Sequence, residues 1–167
     1  MSDWISEMEG LALGSRMRRF SDYLSSEIKL VYKSKGIDFN PRHFPVVSLI
    51  CSHQAELLSI RELAEATGLT HSSISQTVTK LEAIGLCIRE TDPRDERAII
   101  VRPTPAAIKF VEIELRPIWQ AIKVVTNECL PSQTIGFWHS LEEAEEVMQG
   151  EPLSRKILKR LKNQSTL

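Results

Sequence analysis

Cysteine is scarce in this chain: Cys51, Cys87 and Cys129 lie far apart, and no CxxC pair occurs. A sparse, odd set excludes a disulfide framework, and the thiols read as small buried hydrophobes. The four histidines, His43, His53, His71 and His139, have no metal-ligand spacing. There is no glycine-rich phosphate loop and no nucleophile elbow. His139 with Glu142 and Glu143 is the nearest approach to an acid–base group, and helix starts carry such residues for capping and dipole reasons. No catalytic residue, cofactor or metal is therefore expected, and an enzyme is the weakest reading. No apolar run approaches the length that spans a bilayer, so no membrane partner is expected. Met1-Ser2-Asp3-Trp4 is not a basic stretch leading into an apolar one, so no signal peptide is expected and the location is expected to be cytoplasmic. An excess of positive charge is also missing: 21 Lys and Arg stand against 22 Asp and Glu. Any polyanion would have to be met by locally placed cations rather than by net charge.

What is there is amphipathic helix, enough in 167 residues for one domain with helical extensions. Leu13, Met17, Phe20, Leu24, Ile28 and Val31 recur in steps of three and four, which predicts a long helix over 11–35, ended by Gly36. Asn40-Pro41 supplies a cap and an N1 proline for a shorter helix through Val46, Val47, Leu49 and Ile50. Ser59 and Glu62 form a capping box, opening a short helix with Ile60, Leu63 and Ala64 inward that stops at Gly68. Thr70 caps the next, 71–84, whose buried stripe is Ile74, Val78, Leu81 and Ile84. From 86 to 102 the period changes to that of strands, around the polar turn Thr91–Glu96, giving one charged hairpin. Thr104-Pro105 starts another helix, in which Ile108, Val111, Leu115, Ile118, Ile122, Val125 and Cys129 make a heptad seam suited to packing against another helix. Pro117 is expected to kink it. Two more helices are expected near 138–149 and 152–163, and no internal repeat or low-complexity tract is present.

The order helix, glycine turn, helix, charged hairpin is the plan of a winged helix-turn-helix, whose second helix enters the major groove. The outer face of 71–84 carries His71, Ser72, Ser73, Ser75, Gln76, Thr79 and Lys80. Hydroxyls are a poor choice for helix stability. They suit base edges and phosphates, with Gln able to pair bidentately with adenine and Lys with guanine or phosphate. In the hairpin, Arg94 at the tip and Arg97 near the base are candidates for a minor groove. A salt-bridged surface hairpin would serve equally for the fold alone, although exposed ion pairs contribute little.

Ser59-Ile60-Arg61-Glu62-Leu63-Ala64, Gly68-Leu69-Thr70, Val78 to Leu86, Asp92-Pro93-Arg94-Asp95-Glu96-Arg97 and Pro103-Thr104 together resemble the MarR family of bacterial regulators over roughly residues 10–130. The resemblance implies a mainly α fold with a small β-hairpin wing. Residues 1–54 would hold the N-terminal helices, 55–104 the DNA-binding domain, and 105–167 the C-terminal dimerisation helices and tail. It implies a sequence-specific regulator, expected to repress, that acts as a homodimer on palindromic double-stranded DNA and responds to a small-molecule effector. His43, Phe44 and Phe20 are the candidates beside the effector pocket. A peroxide-sensing cysteine in the first long helix is absent. Thr104-Pro105-Ala106-Ala107 departs from the family's Thr-x-x-Gly, and the tail beyond 130 looks like the joint of MarR–acetyltransferase fusions without room for the second domain. The rival reading is a winged helix used for protein contacts, because residues 55–105 hold six basic side chains against eight acidic ones.

Overall fold

The computed structural model describes residues 7–54, 56, 58–93, 95–130 and 134–164. Residues Met1–Trp119 form one compact unit and Gln120–Leu167 a second. In the first unit, a 3-10 turn over Glu9–Ala12 leads into α1, Leu13–Ser34. Gly36 leaves the helix with φ +72°, a left-handed backbone that glycine adopts without strain. The side chain of Asn40 accepts from the Arg42 N–H at 3.0 Å, capping a 3-10 turn at Pro41–His43 that runs into α2, Phe44–Ser52. β1 is the pair Leu58–Ser59, and α3 spans Ile60–Thr67. The capping box at its start closes both ways: Ser59 N–H donates to Glu62 at 2.7 Å and Glu62 N–H to Ser59 Oγ at 3.2 Å.

Gly68 turns the chain with φ +67°, and Thr70 caps α4, His71–Ala83, by accepting from the Ser73 N–H at 3.2 Å. β2, Cys87–Asp92, and β3, Asp95–Pro103, pair antiparallel, in register from Cys87 opposite Pro103 to Asp92 opposite Asp95, with one irregularity at Thr91/Asp92. β1 adds to the far side of β3, so the sheet order is β1-β3-β2. A helical run then follows as α5, Pro105–Phe110, a π turn at Val111–Leu115 and α6, Arg116–Cys129.

The core sits where α2, α3 and α4 meet the sheet and the π turn. Val46, Val47, Ile50, Leu63, Ile74, Val78, Leu81, Ile100, Val101, Val111 and Leu115 are all buried. Each such side chain stabilises the fold by about 1.5–3 kcal/mol relative to exposure. Tyr32 joins α1 to this unit: its hydroxyl accepts from the indole of Trp119 at 2.9 Å and its ring meets Phe39 edge-on. In the second unit α7 spans Thr134–Gly150 and α8 Leu153–Gln164, and the Lys156 ammonium donates to the Val147 carbonyl at 2.9 Å. Among the described residues no helix is long and apolar enough to cross a membrane, and no group of three or more His, Cys, Asp or Glu could hold a metal ion.

Several expectations shift in detail. Ile84 does not belong to the buried stripe, being 57% exposed: α4 ends at Ala83, and the non-helical backbone of Ile84 turns its side chain off the face. Ile60 and Ala64 are half-buried rather than inward. The heptad seam divides. Val111, Leu115 and Ile118 are buried within this single chain, whereas Val125 and Cys129 are exposed. A π turn over Val111–Leu115 lies two residues before Pro117, where a kink is expected. The two-residue β1 went unread because it is too short to show a period.

Candidate nucleic-acid interface

α4 presents the expected face. Its stripe of Ile74, Val78 and Leu81 is fully buried, so at about 100° per residue the opposite side is held outward. His71, Ser72, Ser73, Gln76, Thr79 and Lys80 are exposed and Ser75 is half-buried. The first-turn N–H groups of His71 and Ser72 have no acceptor within the helix, the general condition of a helix start that favours anions. Of the wing candidates, Arg97 is exposed on β3, where its N–H donates to Asp95 Oδ1 at 3.0 Å. Arg94 lies outside the described residues. The wing is further braced by Arg102, 2.8 Å from Glu90 across the two strands.

Two of the expected face residues meet partners within the protein, Thr79 through its hydroxyl and Ser75 through its backbone carbonyl. Thr79 Oγ1 donates to the Ser75 carbonyl at 2.9 Å and accepts from the guanidinium of Arg89. The same Ser75 carbonyl accepts from Arg89 Nη2 at 3.2 Å, and Arg89 Nη1 lies 3.5 Å from Glu82. Sequence reasoning missed Arg89. The available signal was its spacing of two from Cys87, which puts both on the sheet face that meets α4.

The three residues expected beside an effector pocket have different surroundings. His43 is buried, with its ring edge-on to Phe39 at 6.0 Å between centroids and with Nδ1 lacking a hydrogen-bond partner. Burial, and secondarily the charge of Lys80, hold its pKa below the ordinary histidine value. Phe44 packs edge-on against Trp119 at 4.8 Å, while Phe20 is 46% exposed on α1. A cleft of about 710 Å³ is lined by Leu11, Gly14, Ser15, Arg18, Arg19 and Asp22, none of them an expected pocket residue. Burial raises the Cys51 and Cys87 thiols to about 11, so both stay protonated and unreactive near neutrality. Cys87 Sγ donates to the Val78 carbonyl at 3.6 Å, a structural contact.

A capped helix, a left-handed glycine turn, an outward helix and a two-stranded wing define a winged helix-turn-helix protein. Residues 37–98 match the model of the MarR family. The chain is 27% identical over 99 residues to the HTH-type transcriptional regulator YcgE of Bacillus subtilis (strain 168), a match that covers 59% of this chain and 64% of that protein. The fold is similar to that of MepR of Staphylococcus aureus in its DNA complex, with TM-score 0.69, 17% identity, and 81% of this chain and 97% of that chain covered. It is likewise similar to Bordetella bronchiseptica BpsR, whose DNA binding is regulated by 6-hydroxynicotinic acid, with TM-score 0.67, 21% identity, and 83% and 95% covered.

Proposed function

We propose that the chain is a sequence-specific transcriptional regulator that binds a palindromic DNA operator as a homodimer, represses, and responds to a small-molecule effector in the cytoplasm. The observation that carries this reading is the outer face of α4, where Ser72, Ser73, Gln76 and Lys80 are exposed opposite a fully buried stripe. Gln76 and Lys80 are the base-reading candidates, with His71 and the serines contacting base edges or phosphates and Arg94 and Arg97 acting from the wing. Ser75 and Thr79 complete the DNA-contacting face, with Thr79 also held by Arg89. YcgE, described as a transcriptional regulator, and MepR, solved on DNA, support the same reading.

Dimerisation is assigned to the N-terminal helices of 1–54 and the helices of 105–167, flanking the DNA-binding domain of 55–104. It is supported by the half-exposed apolar row Leu13, Met17 and Phe20 on α1, which a single chain leaves uncovered. The effector assignment is supported by the regulation of BpsR by 6-hydroxynicotinic acid. A second reading, a module for protein contacts, is favoured by the acidic balance of residues 55–105. Titration of the full chain against duplex DNA at about 50 and 200 mM salt separates the two. The regulator loses affinity by about tenfold or more per few phosphate contacts across that range. Absent or salt-insensitive binding favours the protein-contact module.

A further inference from the structure

Strand β2 reaches α4 through two side chains. On β2, Cys87 and Arg89 share a face because side chains alternate along a strand. Both make contact with α4: the thiol reaches the Val78 carbonyl, and the guanidinium reaches three residues. Those three, Ser75, Thr79 and Glu82, are spaced by four and three, so they form a single line along the helix. At about 100° per residue that line runs between the buried stripe and the outer face of Ser72, Gln76 and Lys80. Nη2 donates to the Ser75 carbonyl at 3.2 Å and to Thr79 Oγ1, while Nη1 lies 3.5 Å from Glu82 Oε2. The Arg89 side chain is 31% exposed. A planar fork serving two oxygens and a carboxylate fixes direction as well as distance, which the point charge of a lysine does not.

We propose that Arg89 is a positioning residue for operator recognition, fixing the rotation of α4 about its own axis relative to the wing so that Gln76 and the wing arginines meet their grooves in one register. The proposal rests on the DNA-reading assignment above and deepens it. Arg89 touches no base: its fork is turned onto the protein, and Thr79, facing the same way as a reading residue, serves as the tie-point. Glu82 completes the grip, which gives an acidic side chain on the reading helix a structural use.

The test compares wild type with Arg89→Lys, Arg89→Met and Glu82→Gln, measuring affinity for a selected operator, affinity for unrelated duplex, the salt slope and the melting temperature. Both Arg89 variants are expected to lose about tenfold or more in operator affinity, the size expected for losing charge-assisted hydrogen bonds. Affinity for unrelated duplex and the salt slope stay unchanged, and Glu82→Gln weakens operator binding to a smaller degree. Three results overturn the proposal. In the first, Arg89→Lys behaves as wild type while Arg89→Met lowers the salt slope by about one, the mark of a phosphate contact. In the second, operator and unrelated affinities fall together with the melting temperature, the mark of general destabilisation. In the third, Glu82→Gln tightens operator binding. A wild-type chain that binds no duplex overturns the DNA-reading assignment and this proposal with it; variants indistinguishable from a wild type that does bind overturn this proposal alone.

Discussion

His43 carries a buried imidazole whose Nδ1 has no partner, beside the ring of Phe39 and within the field of Lys80. Burial first, and then that positive charge, disfavour its protonated form in the folded chain. The unfolded chain takes up a proton near the ordinary value of 6.5, the folded chain only at lower pH. Stability is therefore complete above about 6.5 and declines as the pH falls from there toward the folded value. Thermal unfolding at about pH 7.5 and 5.5 measures this, with His43→Phe as the control. The variant is expected to lose its share of the pH dependence and, by removing an orphaned polar atom, to gain stability at neutral pH. An unaltered pH profile would show that His43 is not the titrating group. At this scale the sequence identifies the outward residues of α4 well, because helical period alone assigns them. It does not disclose that Thr79 and Ser75 are engaged by Arg89, since that pairing depends on how β2 crosses the helix.

The placement of α4 depends on the elements that set it. α3 begins at the Ser59–Glu62 capping box, and β1 immediately before it pairs with β3 at Leu58 opposite Val101 and Ser59 opposite Ile100. Ser59 thus serves the sheet and the helix at once. Ser59→Ala is expected to destabilise the folded unit by about 1 kcal/mol, within the usual range for a lost N-cap, seen as a lower melting temperature. An unchanged melting temperature would mean that the Glu62 bond to the Ser59 N–H alone holds the start of α3. The elements were legible wherever local chemistry marks both ends: Thr70 before α4, Gly68 and Gly36 at left-handed turns, Thr104 before α5. They were not legible where tertiary structure decides. A two-residue strand has no period to detect, and the heptad pattern runs straight through the π turn at Val111–Leu115. Ile84 continues the apolar spacing of α4 one residue beyond the helix itself.

Across the whole molecule, the question is which apolar surface belongs to the fold and which to a second copy. Leu115 is fully buried against its own chain, so Leu115→Asp is expected to unfold the unit rather than separate a dimer into folded monomers. Leu13, Met17 and Phe20 on α1 are each between 44% and 46% exposed, which makes Phe20→Asp the variant to examine. Sedimentation is expected to show wild type as a dimer and Phe20→Asp as a folded monomer with weakened operator binding. A dimeric Phe20→Asp would move the interface away from this face. The dimer matters to the proposed function because a two-fold operator would be read by two copies of α4 set one turn of DNA apart, roughly 34 Å. The central claim is that α4, doubled in this way, reads sequence. Selection of bound duplexes from a random library with the wild-type chain, at near-physiological salt, tests it most directly. The account predicts a palindrome whose half-sites are centred about one turn apart; no enrichment, or enrichment of a sequence without two-fold symmetry, would contradict it.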